Sequence, residues 1–384
     1  MDDVVVIDNM LWEQMVDLTN GAAAICYQCG VCTAICPWGL VREETLSVRD
    51  IMRYAQLGIQ NGNESLWLCT TCSQCEAYCP RGVDIADVFR SMRFLAWQRN
   101  QPKAGLSNML WSIYWNNNPW NQPPSRRSQW YQDNPLPVFN PDEHEVLYYI
   151  GCTTAYDRRA QKIGHALIQL MSAAGVKFGV LGDKEPCSGE EVLSVGHKAY
   201  FMDIAKGTAD LFAERNVEKM ITTSPHTYDV FLNHYPSVSD RFLPQHYTEF
   251  LAELIADGRL KFKKKLEKKV TFQDPCYLAR HNNQYTAARE ILEAIPGVEL
   301  EEMSNNRQDT LCCGGGGGRM WLETAPGERF SDLRVQQALE TKAAVLTTAC
   351  PYCISCLEDS CKAQRLQSIE VLDVAEIAAM ALVE

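Results

Sequence analysis

Eight of the chain's seventeen cysteines fall in two groups with one spacing, C-x2-C-x2-C-x3-C-P. Cys26, Cys29, Cys32 and Cys36 lie in CYQCGVCTAICP; Cys69, Cys72, Cys75 and Cys79 lie in CTTCSQCEAYCP. Two C-x2-C steps wrap a loop so that three thiolates converge, and the fourth cysteine, ahead of proline, reaches the other cluster of a two-cluster ferredoxin. The spacing therefore assigns Cys26, Cys29, Cys32 and Cys79 to one [4Fe-4S] cubane, and Cys69, Cys72, Cys75 and Cys36 to a second. Zinc ribbons present separated C-x2-C pairs instead. The odd cysteine total fits poorly with complete pairing in a chain of 384 residues. The acidic start, MDDVVVIDNM, lacks the basic and apolar stretches of an export signal. A reducing, cytoplasmic setting is expected, where clustered cysteines read as metal ligands.

Between the two groups, Val48, Ile51, Met52, Ala55 and Ile59 recur at helical spacing, and 83–97 (VDIADVFRSMRFLAW) reads as another helix. Residues 1–100 are thus expected to form a helical ferredoxin domain with two [4Fe-4S] cubanes. Residues 101–145 are rich in Trp, Pro and Asn, and proline at this density breaks regular structure. They read as an ordered, irregular connector, with Trp111, Trp115, Trp120 and Trp130 as packing anchors.

The rest of the chain is duplicated. EVLYYIGCTTAYD resembles KVTFQDPCYLARH, KEPCSGEE resembles DTLCCGGG, and KMITTSPHTYDVF resembles AVLTTACPYCISCL, at nearly constant offsets of 124 to 126 residues. Cys152 thus stands opposite Cys276, Cys187 opposite Cys312, Ser188 opposite Cys313, Ser224 opposite Cys350, and Thr227 opposite Cys353. Short apolar runs (VLYYI, MITTS, VTFQD, AVLTT) alternate with helical patterns (RRAQKIGHALIQLMSAAG, TAAREILEAI) that stop at Gly175 and at Pro296 and Gly297. That alternation implies parallel sheets covered by helices, with the cysteines at strand carboxyl ends, where open α/β sheets place ligands. The fold class expected is α+β multidomain, a helical dicluster domain followed by two pseudo-symmetric α/β domains at 146–260 and 268–384.

The second half spells C-x35-CC-x36-C-x2-C. DPCYLARHN, LCCGGGGGRMW and TACPYC resemble the cysteine-rich CCG domain of heterodisulfide reductase catalytic subunits. That family includes iron–sulfur subunits of glycerol-3-phosphate dehydrogenase, glycolate oxidase and sulfite-reductase-linked membrane complexes. With the dicluster domain included, the whole chain is most similar to the fused D-type subunit of heterodisulfide reductase. The resemblance implies a non-cubane [4Fe-4S] cluster held by Cys276, Cys312, Cys313, Cys350 and Cys353. It implies a redox complex with further subunits, flavin-containing or ferredoxin-type, in an oxygen-sensitive, anaerobic metabolism. It also makes Cys312 and Cys313 the candidate reaction centre for a disulfide or thiol substrate. The alternative is a pure relay, to or from a quinone-linked membrane subunit or a low-potential acyl-CoA reductase module.

The glycine run 314–318, beginning with Gly314 and Gly315, lets backbone approach closely and offers N–H groups near sulfur. Arg319 beside it could offset cluster charge or hold an anionic group, or be a surface arginine. His281, five residues after Cys276, could donate a proton to a leaving thiolate, as could His226 in the other half, or each could be an ordinary hydrogen-bonded histidine. The first half keeps only Cys152 and Cys187; hydroxyls are poor iron–sulfur ligands, so no cluster is expected there. Those two read as interior relics or as a redox-active pair, and Cys356 and Cys361 as packing residues. The basic stretch KFKKKLEKK is a solvated face or a docking site for an acidic partner. A net charge of −12 disfavours nucleic-acid binding, and no run of 18 apolar residues is present to span a bilayer. No G-x-G-x-x-G follows a strand and no Walker motif occurs, so nucleotide or flavin binding has no support.

Overall fold

A computed structural model describes residues 7–42, 46–59, 64–99, 101, 103–325 and 327–382. Most of the acidic start on which the export reading rests, and the outer limits of the domains at 1, 100 and 384, lie outside these residues.

The N-terminal part is helical. Val48–Gln56 forms because Ser47 caps it, accepting from the Asp50 N–H, and because Val48, Ile51, Met52 and Ala55 fall on one buried face. Ile59, expected on the same helix, lies beyond it; the chain turns at Gly58 with φ +61°, where a β-carbon would lie 1.9 Å from the Asp8 carbonyl oxygen. Asp84 caps Ile85–Gln98 by accepting from the Asp87 N–H.

The connector departs from expectation. Ala104–Asn116 is a helix of 13 residues, ending at Asn117 in the left-handed region (φ 55°). No proline falls inside it; the proline-rich stretch that suppresses regular structure begins only at Pro119. Trp120 packs on Trp321, and Trp130 on Tyr131 and His165, as anchors should. Trp111 and Trp115 do not: they are 60% and 72% exposed.

Two four-stranded, fully parallel sheets follow. The first holds β1 (Val146–Tyr149), β2 (Phe178–Gly179), β3 (Lys219–Thr222) and β4 (Leu243–His246) in the order 2-1-3-4. The second holds β5 (Lys268–Gln273), β6 (Val298–Leu300), β7 (Val345–Thr348) and β8 (Glu370–Asp373) in the order 6-5-7-8. The apolar central strands β1, β3, β5 and β7 are the runs read from sequence. The helix after β1, Arg158–Ala173, packs on the helix after β8, Val374–Met380. Reciprocally, the helix after β4, Tyr247–Ala256, packs on Ala287–Ala294, which lies between β5 and β6. His246 with Glu249, and Asp373 with Glu376, build the same capping box at equivalent positions. The halves share one apolar core that runs from Tyr148 and Leu167 to Val270 and Leu346. Arg159 ties them further, donating to both Glu376 oxygens at 2.9 and 2.8 Å and pairing with Glu358.

Candidate metal centres

The two ferredoxin loops repeat one backbone conformation. Gln28 (φ 64°) and Thr71 (φ 51°) occupy the second spacer of the first C-x2-C step; Gly30 (φ 85°) and Ser73 (φ 55°) follow its second cysteine. Non-glycine residues in the left-handed region cost energy and persist where the surroundings enforce them. Here they curl each loop inward, and the Thr71 N–H reaches the Cys69 sulfur at 3.4 Å.

The cysteines of the two loops gather around two hollows. Cys26, Cys29, Cys32 and Cys79 line one hollow with Arg49, Met52 and Ile85. Cys36, Cys69, Cys72 and Cys75 line a second with Trp38, Phe89 and Phe330. Burial in the second hollow pushes the Cys75 thiol well up and Cys69 to about 11. Among the described residues no three His, Cys, Asp or Glu side chains close on a single ion; the thiols stand around hollows.

In the second α/β half Cys276 opens the helix after β5, Cys350 caps the helix after β7, and Cys353 lies one turn into it. Cys312 and Cys313 come from the intervening loop. All five are buried. The Cys353 and Cys313 sulfurs are 3.3 Å apart, and the Gly314 N–H donates to Cys312 at 3.3 Å. Hydrogen bonds from Cys276, and further from Cys72, hold Cys312 below the ordinary thiol value; Cys313 beside it and burial work in the opposite direction. Cys72 belongs to the second ferredoxin hollow, and Arg280, one turn after Cys276, donates to its carbonyl at 2.6 Å, so the two cysteine groups meet there.

The glycine run makes that meeting possible. A β-carbon on Gly316 would lie 2.4 Å from the Thr70 carbonyl oxygen, and one on Gly317 2.4 Å from that of Cys69. The close approach is to the ferredoxin loop. Arg93, buried between them, donates to the Cys69 carbonyl at 2.7 Å and to the Gly317 carbonyl at 3.2 Å.

Cys313, Gly314, Gly315 and Arg319 line an open pocket of about 580 Å³ with Met320, Phe330 and Cys356, a volume in the range of small-molecule sites. Arg319 is buried there, stacked over Trp38 at 5.7 Å and donating to Thr324 at 2.7 Å, so it is not a surface arginine. Cys356, read as a packing residue, packs against the core and also lines the pocket, 3.8 Å from the Met320 sulfur. The spacing Cys350, Cys353, Cys356 on one helix carries the signal. His281 does not line this pocket. Its ring stacks on Tyr277, and Nε2 lies 2.8 Å from the Thr71 carbonyl and 3.0 Å from the Ser73 hydroxyl. As placed, it clasps the ferredoxin loop and is not positioned to protonate a group at Cys313.

In the first half the opposed positions also gather, with different chemistry. Arg127, from the connector, pairs with Glu185 at 2.7 Å, both fully buried, and donates to Cys152 at 3.2 Å. A hydrogen bond from Cys187, and then Arg127, lower the Cys152 thiol, although burial raises it. Thr227 donates to Ser188 at 3.5 Å, and Ser224 caps the next helix. His226 stacks on Tyr277 at 3.9 Å and stands 3.3 Å from the Glu190 carboxylate. Burial opposes its charge, but Glu190 overrides it and pushes His226 up to about 9.

The donor sets of the three thiol groups fit iron and sulfide. They are soft and crowded, with the backbone N–H groups of Thr71, Val83 and Gly314 at sulfur.

Residues 22–83 match the 4Fe-4S dicluster domain model, and residues 146–228 and 270–358 each match the cysteine-rich CCG domain. The chain is 36% identical over 329 residues to a probable iron–sulfur-binding oxidoreductase, FadF, of Bacillus subtilis (83% of this chain, 47% of that protein). It is 34% identical over 334 residues to an EtfAB:quinone oxidoreductase of Syntrophomonas wolfei (82% and 46%). It is 28% identical over 392 residues to the D-type subunit of a dihydromethanophenazine:CoB–CoM heterodisulfide reductase of Methanosarcina barkeri (93% of each). The chain spans about half the length of the first two relatives. A crystal structure of a hypothetical protein from Helicobacter pylori shares the fold, with TM-score 0.55 and 13% identity over 98% of this chain and 73% of that one.

Proposed function

Because the chain belongs to the family of iron–sulfur oxidoreductase subunits that join a dicluster ferredoxin domain to paired CCG domains, we propose that it is the electron-transfer subunit of a heterodisulfide-reductase-like complex. In this reading Cys26, Cys29, Cys32 and Cys79 hold one cubane, and Cys69, Cys72, Cys75 and Cys36 a second. Cys276, Cys312, Cys313, Cys350 and Cys353 hold a non-cubane [4Fe-4S] cluster. The domain limits that go with it are 1–100, 101–145 (now with a helix inside), 146–260 and 268–384. Bound there, the clusters would supply one-electron redox chemistry at potentials set by nearby charge and hydrogen bonds. The observation that carries the reading is the junction of the ferredoxin hollow with the five-cysteine nest, where Arg280 donates to the Cys72 carbonyl at 2.6 Å and to the Thr310 carbonyl at 2.5 Å and Gly316 and Gly317 lie against Thr70 and Cys69.

Cys313, with Cys312 beside it, faces the open pocket and is the candidate reaction centre. A disulfide taking up two electrons and two protons there would leave as two thiols. Gly314 and Gly315 shape the wall, and Arg319 places a buried guanidinium in it. Other redox subunits would supply the electrons. Among the described residues no helix is long and apolar enough to cross a membrane; we place the chain on the cytoplasmic side, against any membrane partner.

The second reading is a relay with no catalytic site of its own, serving a quinone-linked membrane subunit or a low-potential acyl-CoA reductase module. The description of the Syntrophomonas relative as a quinone oxidoreductase favours the former. Chemically reduced protein, mixed anaerobically with an aliphatic disulfide or with a soluble quinone, decides between them. Reoxidation by the disulfide, abolished in Cys313→Ser with the cubane EPR signals retained, is expected. Reoxidation by the quinone alone would replace the first reading with the second.

A further inference from the structure

Arg280 stands where the two groups of sulfurs meet. Its Nε donates to the Cys72 carbonyl at 2.6 Å. Its Nη1 donates to the carbonyls of Gln308 at 3.1 Å and Thr310 at 2.5 Å, on the segment that leads into Cys312. The third nitrogen, Nη2, is buried without a hydrogen-bond partner. An orphaned buried donor on a charged group is costly and calls for an explanation. Arg280 lies one turn after Cys276 on the same helix, and Thr310 lies two residues before Cys312, so the guanidinium sits between the two cysteine groups.

We infer that Arg280 is a shared positioning residue, one fixed cation that sets the redox potentials of both the second cubane and the five-cysteine cluster. The inference rests on the cluster assignment proposed above. The physics is that of a charge between two acceptors. A cation stabilises whichever neighbour has become more negative by taking an electron, and a donor aimed at thiolate sulfur acts in the same direction. Arg280 is pinned by carbonyls from both sides, so it cannot follow the electron. It acts on both sites at once. It therefore raises the two potentials together and leaves the difference between them little changed. Arg93 differs in that each of its nitrogens is spent on a carbonyl oxygen (Leu66, Cys69, Ser194, Gly317), whereas Nη2 of Arg280 is left over.

Potentiometric EPR titration of the anaerobically purified full chain tests this, with Arg280→Gln and Arg280→Lys beside the unaltered protein. In Arg280→Gln both potentials should fall in tandem, each equivalent to about a tenfold loss in the equilibrium for electron uptake, ~59 mV for one electron. Arg280→Lys keeps the cation but loses the fork, and should shift both in the same direction by less. The cubane held by Cys26, Cys29, Cys32 and Cys79 is the internal reference and should not move. If Arg280→Gln does not fold, the lysine variant alone decides. Unmoved potentials, or a shift at only one of the two sites, would overturn the inference. Iron analysis separates this from failure of the underlying reading: an unaltered protein without iron defeats the cluster assignment itself, whereas full iron with static potentials defeats only the role of Arg280.

Discussion

At one loop of the second α/β half the chain carries Cys312, Cys313, Gly314, Gly315 and Gly316; at the equivalent loop of the first it carries Cys187, Ser188, Gly189, Glu190 and Glu191. The turn is the same in both, with Gly189 at φ +81° and Gly314 at φ +97°. The chemistry diverges on either side of it. Where the second half has glycines, the backbone of Cys69 and Thr70 comes close enough that no β-carbon would fit. Where the first half has glutamates, Glu190 engages His226, and Glu191 accepts from Tyr352 at 2.6 Å. The second half carries thiols and makes room for the ferredoxin; the first carries hydroxyls at Ser188, Ser224 and Thr227, with buried charge pairs around them. The fold is the same with either set of side chains, because it is held by sheet and core that both halves share.

The contrast can be broken most forcefully at Cys312. Cys312→Ser should remove the third cluster and lower iron from about twelve to about eight atoms per chain, whereas Cys187→Ser should leave iron unchanged; iron and sulfide assays on both variants check this. Next comes the buried charge pair of the first half. Arg127→Met strands Glu185, which is fully buried, and should cost about 3–5 kcal/mol in chemical denaturation without loss of iron. Gly316→Ala forces a β-carbon against the Thr70 carbonyl and should cost about 1–3 kcal/mol, with the ferredoxin domain more open to limited proteolysis. The smallest effect is on pH dependence. His226 is raised in the folded state, so its contribution to stability is present below the ordinary histidine value and is lost as pH rises through about 9. His226→Gln should flatten that part of the stability–pH curve.

How far these features are visible in the sequence follows from how local they are. The crossed cysteine sets and the central strands β1, β3, β5 and β7 rest on spacing and on apolar runs, which a sequence displays directly. The edge strands β2, β4, β6 and β8 do not stand out. They hold two to four residues each, and β4 contains Pro244. The helix Ala104–Asn116 is hidden by the prolines that follow it. Trp111 and Trp115 mislead because an aromatic residue reads as core until the helix face is known. Cys356 is legible as a third C-x2-C step, but nothing local separates a pocket wall from packing. Arg127 and Arg280 carry no local signal. Arg127 meets Glu185 across 58 residues and Arg280 meets Cys72 across 208, so only tertiary structure shows what they face.

The central claim is that thiolates hold iron and sulfide at three places and not at a fourth. Mössbauer spectroscopy with iron and sulfide quantification on anaerobically purified, ⁵⁷Fe-enriched protein tests it most directly. The account predicts about twelve irons per chain, two cubane signals and a third, distinct cluster signal that vanishes in Cys312→Ser. A colourless or zinc-loaded protein, about sixteen irons, or a Cys312→Ser variant with undiminished iron would contradict it.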